Sequence, residues 1–218
     1  MKTEIMKLQL AMDVIDLDEA VAFVEKVRDY VDIIEVGTPF IIDRGMDGVK
    51  ALSAAFPEKE ILSDEKIMDG GYYEAQLGYE AGARYVTVLG VTDILTVEAC
   101  IRAAKEFGGE VVVDMICVPD IAGKIEELEA LGVDVLAVHT GADQQAAGRT
   151  AIEDLKLMKR HSKSAKIAVA GGISSKTIAQ YVELDPDIVI VGSAIMDSDD
   201  PVQEARLIKE AINAGAAA

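Results

Sequence analysis

Eight short runs rich in Val, Ile and Leu recur at nearly even spacing along the 218 residues, at 8–12, 33–36, 60–62, 85–89, 111–115, 133–138, 167–170 and 188–191. Apolar runs of this length, without strict alternation, suit strands covered on both faces, as in a parallel sheet. Between them lie amphipathic segments, 17–28, 72–81, 96–107, 121–131 and 151–160, with charge on one face. Start signals stand at Asp16 or Asp18, Pro119-Asp120, Ser174-Ser175 and Asp200-Pro201. Gly82, Gly108-Gly109 and Gly132 fall where helices should stop. Strand-then-helix units repeated eight times with short connections predict an α/β chain closed into a single (β/α)8, or TIM, barrel over residues 1–213, with 214–218 as a loose tail. A doubly wound open sheet is disfavoured, because no G-x-G-x-x-G turn follows the first run.

Charge and composition narrow the partners. A formal charge of −18 repels phosphate backbones and anionic membranes, which argues against nucleic acid or lipid. It also means that a phosphate ester could bind only at a local positive site made by backbone amides, a metal ion or a lysine. No apolar run approaches the roughly 20 residues that span a bilayer, and the Met1 region is too polar for a secretory signal, so a cytoplasmic location is expected. Cys100 and Cys117 have no Cys/His partners at metal spacing and are expected to be small buried hydrophobes.

A parallel barrel exposes its chemistry at the carboxyl ends of its strands. The polar residues at those ends are Asp13, Glu35, Asp64 with Lys66 and Asp69, Asp114 and His139. Each alone has a plain explanation as a helix cap or a satisfied polar group; His161, in a basic helix end, is expected to face solvent or the helix dipole. Together they would repel one another unless a cation or ligand intervened. Two residues apart at a strand end, Asp64 and Lys66 should point into the mouth together, with Glu65 turned away. Asp69 either joins that network or reaches a neighbouring subunit. Glu35 and Asp64, on adjacent strands, offer two hard oxygen ligands suited to Mg2+. After strands seven and eight, Gly171-Gly172 and Gly192-Ser193 suit backbone amides that approach a phosphate.

The triplet Asp64, Lys66, Asp69 matches the D-x-K-x-x-D mark of the orotidine-monophosphate-decarboxylase superfamily. Within it the chain most resembles the 3-hexulose-6-phosphate synthases, through residues 9–13, 34–39, 66–69, 113–116 and above all the His-Thr-Gly-Ala-Asp-Gln-Gln-Ala-Ala-Gly run of 139–148. That resemblance covers essentially the whole chain. It implies a magnesium-dependent, reversible aldol condensation of formaldehyde with D-ribulose 5-phosphate by way of an enediolate. It makes His139 the proton carrier, Lys66 a second positive charge, Asp13 an orienting group for Lys66 or a substrate hydroxyl, and Asp69 a visitor to the partner's site in a homodimer. Two departures stand out: Ala151 replaces a common proline, and Ser193 stands where decarboxylase relatives carry an arginine. The alternatives are a 3-keto-L-gulonate-6-phosphate decarboxylase and a sugar-phosphate-binding barrel without turnover. A pentose-phosphate epimerase is disfavoured for want of several histidines at strand ends.

Overall fold

A computed structural model describes residues 5–13 and 16–216. In chain order the elements are β1 (Lys7–Met12), α1 (Leu17–Val27), β2 (Ile33–Val36), α2 (Thr38–Arg44), α3 (Asp47–Ala55), β3 (Glu60–Ile67), α4 (Gly71–Glu80), β4 (Tyr85–Leu89), α5 (Ile94–Phe107), β5 (Glu110–Asp114), α6 (Ile121–Leu131), β6 (Val135–His139), α7 (Ala142–Ala146), α8 (Ile152–His161), β7 (Lys166–Ala170), α9 (Ile178–Val182), β8 (Ile188–Val191), α10 (Ser193–Met196) and α11 (Pro201–Ala216). The strands pair in sequence order, all parallel, and β8 closes on β1 to complete the barrel.

Strand parity explains why the runs are continuously apolar. In β5, Val111 and Val113 enter the core shared with the helices, while Val112 enters a second core inside the barrel with Ile33, Leu62, Tyr85, Val135 and Ile188. Truncating a fully buried residue such as Leu10 or Ile34 to alanine would cost about 2–5 kcal/mol. The helices follow equally local rules. α5 starts where the Asp93 side chain accepts from the Leu95 N–H at 2.9 Å, buries Val97, Cys100, Ile101 and Ala104 on one face, and stops at Gly108 in the left-handed conformation. Asp200 caps α11 in the same way, through the Gln203 N–H at 2.9 Å.

Several expectations need correction. The second unit has two helices, α2 and α3, where the repeated strand-then-helix unit led to an expectation of one; Pro39 in the first turn of α2 and Gly45 just past its end are the signals for the division. Residues 214–216 of the expected tail form the last turn of α11, in keeping with the helix propensity of alanine, and 217–218 lie outside the described residues. Ser174 and Ser175 do not open a helix directly, since α9 begins at Ile178 after a turn. Cys100 is buried, but Cys117 is exposed, at φ +60° in the turn after β5. No helix among the described residues is long and apolar enough to cross a membrane.

Candidate active site

The carboxyl ends of the strands surround a cavity of about 920 Å³, lined by Asp13, Glu35, Asp64, Lys66, Asp114, His139, Gly171, Gly172, Gly192 and Ser193 among others. Asp69 is not among them: it is exposed, and its Oδ1 accepts from the Gly70 N–H at 2.7 Å.

The centre of the site is an irregularity in β3. Ser63 pairs with Val86 and Ile67 with Val88, so four steps along β3 match two along β4. The surplus is taken up by a bulge at Asp64-Glu65-Lys66, in which Lys66 adopts φ +47°, a conformation that costs a residue with a side chain about 1–2 kcal/mol. Asp64 and Lys66 thus meet at the mouth through a bulge, where regular strand alternation was expected. Glu65 does turn away, lying against Gly78 and Val86 on the helix side with no hydrogen bond to its buried Oε1.

Asp64 is held from three sides. Lys66 Nζ pairs with its Oδ2; Thr38 Oγ1, from the first turn of α2, lies 2.8 Å from Oδ2 and from the Asp64 carbonyl oxygen; and Thr87 Oγ1 donates to Oδ1 at 2.8 Å. Lys66 Nζ also approaches Asp114 Oδ2 at 3.6 Å. Burial pulls the Lys66 ammonium's pKa down, but Asp64 and Asp114 outweigh it and hold the group above its ordinary value.

Asp114 links this pair to the histidine. One of its oxygens accepts from the Ile116 N–H at 2.9 Å, and the other meets His139 Nδ1 at 2.8 Å. Burial opposes ionisation of Asp114, yet His139, Lys66 and the Ile116 amide more than offset it and hold the carboxyl below its ordinary range. With Nδ1 engaged by a carboxylate, Nε2 is the ring nitrogen left for other chemistry.

Glu35 and Asp13 complete the acidic set. Glu35 is 7 % exposed, and the buried Gln9 amide donates to its Oε2 at 2.6 Å. Burial first, then the nearby Asp64 charge, lifts the Glu35 carboxyl well above its ordinary range despite that hydrogen bond. Burial and Asp64 also raise Asp13, against the opposing pull of Lys66 and His139. Asp13 has room only because residue 37 is glycine, where a Cβ would fall 2.2 Å from Asp13 Oδ1.

Across the mouth, Gly171 (φ +130°) and Gly172 (φ +66°) take conformations closed to ordinary side chains. Their loop is pinned from behind. Tyr181 OH donates to the Gly171 carbonyl at 3.2 Å, and the Ser175 N–H and hydroxyl each donate to the Glu204 carboxylate at 2.7 Å.

Comparison with known proteins follows the same geometry. The model of the orotidine 5'-phosphate decarboxylase / HUMPS family matches residues 6–208. The chain belongs to that family. It is 43% identical over 210 residues to a 3-hexulose-6-phosphate synthase of Bacillus subtilis, covering 96% of this chain and all of that one. A crystal structure of 3-hexulose-6-phosphate synthase from Salmonella typhimurium superposes with a TM-score of 0.95 at 58% identity, over 96% of this chain and 100% of the other. A 3-keto-L-gulonate-6-phosphate decarboxylase from Vibrio cholerae gives a TM-score of 0.85 at 27% identity, over 96% and 98%. The family resemblance carried by Asp64, Lys66 and Asp69 is therefore correct.

For this family member the donor chemistry of the mouth fits a divalent cation. No three His, Cys, Asp or Glu side chains among the described residues converge as a ready metal cluster, but Mg2+ needs only one or two protein carboxylates when water and substrate oxygens fill its other positions. Glu35 and Asp64 supply that number. Five carboxylates, Asp13, Glu35, Asp64, Asp114 and Asp197, line the cavity against one ammonium and one imidazole. Sequence reasoning missed Gln9, Thr38 and Thr87 as supports. Gln9 and Thr87 carry a readable signal, as polar residues inside apolar strand runs; Thr38 is a helix-start residue whose target depends on the bulge.

Proposed function

We propose that the chain catalyses the reversible aldol condensation of formaldehyde with D-ribulose 5-phosphate to D-arabino-3-hexulose 6-phosphate. The observation that carries this reading is the Asp114-oriented His139 facing one cavity with the Asp64–Lys66 pair and Glu35, in a chain whose relatives at 43% and 58% identity bear the synthase name. The decarboxylase relative, at 27% identity, supports the second reading less.

Backbone amides at Gly171-Gly172 and Gly192-Ser193 would hold the phosphate end, placing the ketone near Lys66. His139 Nε2 takes a proton from the hydroxymethyl carbon beside the ketone, and the electron pair moves onto the carbonyl oxygen to give an enediolate. The Lys66 ammonium stabilises that oxygen by charge, without forming a Schiff base. The enediolate carbon then attacks formaldehyde, one C–C bond forms, and His139 returns the proton to the new alkoxide. Mg2+ held by Glu35 and Asp64 would supply the further positive charge that the developing oxyanion requires. A charged sugar phosphate does not cross membranes unaided, so the reaction is assigned to the cytoplasm.

A homodimer forms part of the proposal. Met68, Tyr73, Leu77, Val91 and Leu95 are large exposed hydrophobics near Asp69, and Thr92 Oγ1 ties two of their loops together by donating to the Met68 carbonyl at 2.6 Å. A second copy seated there would cover them and carry Asp69 to its partner's mouth. Mixing Asp69→Ala with His139→Ala protein tests this: each mixed dimer regains one intact site, so activity should reappear. Its absence from confirmed mixed dimers would remove Asp69 from the partner site.

The reaction itself is tested by formaldehyde consumption with purified protein. Loss that requires both D-ribulose 5-phosphate and Mg2+ is expected. Carbon dioxide release from 3-keto-L-gulonate 6-phosphate without formaldehyde consumption would transfer the assignment to the decarboxylase. Binding without either turnover would leave a sugar-phosphate-binding barrel.

A further inference from the structure

We infer that Thr87 is a positioning residue for this reaction, whose single hydroxyl holds the β3 bulge in the shape that brings Asp64 and Lys66 together. The inference rests on the proposed reaction for its kinetic consequence, and on the bulge alone for its structural one. Thr87 sits in the middle of β4, between Val86 and Val88, and is 5 % exposed. Its Oγ1 accepts the Lys66 backbone N–H at 2.9 Å and donates to Asp64 Oδ1 at 2.8 Å.

Both bonds fall where the regular ladder between β3 and β4 is interrupted, between the Ser63–Val86 and Ile67–Val88 pairs. An N–H in such a gap lacks its usual partner on the next strand, and a buried donor left unpaired is costly. The Thr87 hydroxyl supplies the partner. It does so for the residue that carries left-handed backbone strain at φ +47°, so one oxygen offsets the cost of the bulge and fixes one side of the carboxylate. The Lys66 N–H can only donate and the Asp64 carboxylate can only accept, so the hydroxyl takes the first on a lone pair and gives its one proton to the second, and the two halves of the pair are set jointly. A strand of this composition would accept valine at residue 87 as readily as its neighbours do; what valine cannot supply is the bridge.

Thr87→Val keeps the shape and removes the hydroxyl, while Thr87→Ser and Thr87→Ala differ from each other by one oxygen. Losing the bridge should lower kcat roughly 10- to 100-fold in the Val and Ala proteins. Their KM for the sugar phosphate should stay within about threefold, since the glycine loops lie on other strands. The Ser protein should keep kcat within about threefold of wild type. Amide exchange at Lys66 gives a readout that does not depend on activity: the N–H should exchange slowly in wild type and in Thr87→Ser, and quickly in Thr87→Val. Wild-type kcat in Thr87→Val, equal changes in kcat and KM, or slow Lys66 exchange without the hydroxyl would each overturn the inference. If wild-type protein does not consume formaldehyde, the reaction assignment fails by itself, and the exchange comparison still decides the role of Thr87. Should Thr87→Val not fold, the Ser and Ala pair carries the same test.

Discussion

The amino-terminal floor of the barrel and its carboxyl-terminal mouth are both lined with charge, and the two ends balance it differently. On the floor, Lys7 meets Glu60 at 2.5 Å, Lys209 meets Asp32 at 2.5 Å, and Arg84 and Lys166 share Glu110. Three aspartates just ahead of even-numbered strands also close the backbone: Asp32, Asp134 and Asp187 accept the N–H of Leu8, Val111 and Ile167 at 2.7, 3.0 and 2.7 Å. In each case the donor is the second residue of the preceding strand. At the mouth, five carboxylates share one ammonium and one imidazole. Charge that is matched holds strands together, whereas unmatched charge raises the free energy of the empty protein and is relieved when a cation or substrate arrives. The same residue types therefore serve stability at one end and chemistry at the other.

That contrast breaks if a mouth substitution harms folding more than turnover. Asp64→Asn should lower kcat about 10³-fold and change the melting temperature little, because the repulsion it relieves at Glu35 and Asp13 offsets the lost pairing with Lys66, which keeps Asp114. A kinetic assay paired with a thermal melt decides it. A protein that unfolds early yet turns over normally would place Asp64 with the structural charges.

The floor gives the converse, at smaller size. Asp32→Ala strands the Leu8 N–H and separates Lys209 from its partner, at a cost of about 2 kcal/mol, or roughly 4–8 °C in melting temperature for a chain of this length. Activity at room temperature should stay within about twofold. A crippled kcat with an unchanged melt would show that the floor communicates with the mouth.

How far the sequence carried this picture differs between the two ends. The barrel order and the mouth set were legible, because both depend on position along the chain: an apolar run, then a polar residue at its end. The floor was written almost as plainly, with an aspartate immediately before a Val/Ile run at 32 and 187 and one residue into a run at 134. Its meaning depends on which strand lies alongside, and only the closed barrel supplies that. The β3 bulge was hidden for a related reason. Whether 64–66 runs on as regular strand or bulges is decided by the register of β4 against it, and nothing inside Ser-Asp-Glu-Lys states that register. The regular alternation expected for Asp64 and Lys66 therefore led to the right neighbours through the wrong geometry.

Glu65, behind the bulge, sharpens the comparison, because it is an unmatched carboxyl outside the mouth. Burial, with Glu74 and Asp64 adding to it, raises its pKa from an ordinary 4.5 to about 8, against a hydrogen bond from Ser63. Between those values the folded protein keeps a proton that the unfolded chain has lost, so this residue's contribution to stability declines as pH rises from 4.5 to about 8. Glu65→Leu should remove that decline. The gain in melting temperature should be roughly 3–6 °C near pH 9 and smaller near pH 5. An equal gain at both would mean that packing, not ionisation, sets its effect.

Glu129 provides the opposite slope and the smallest effect. It sits on α6 beneath the start of β7, and its Oε1 accepts from the Ser162 hydroxyl and the N–H groups of Lys163, Ser164 and Ala165 at 2.7–3.0 Å. Slight burial works against the charge, but these donors prevail and depress its pKa from 4.5 to about 2. A carboxyl depressed in the folded state stabilises at pH values above 4.5 and loses that contribution as pH falls toward 2. Because the group is partly exposed and solvent screens its charge, Glu129→Gln should lower the melting temperature by only roughly 1–3 °C near neutral pH. The gap to wild type should narrow as acid is added. A gap that widened in acid would contradict the sign set by those four donors, and with it the claim that charge on the floor is matched where charge at the mouth is not.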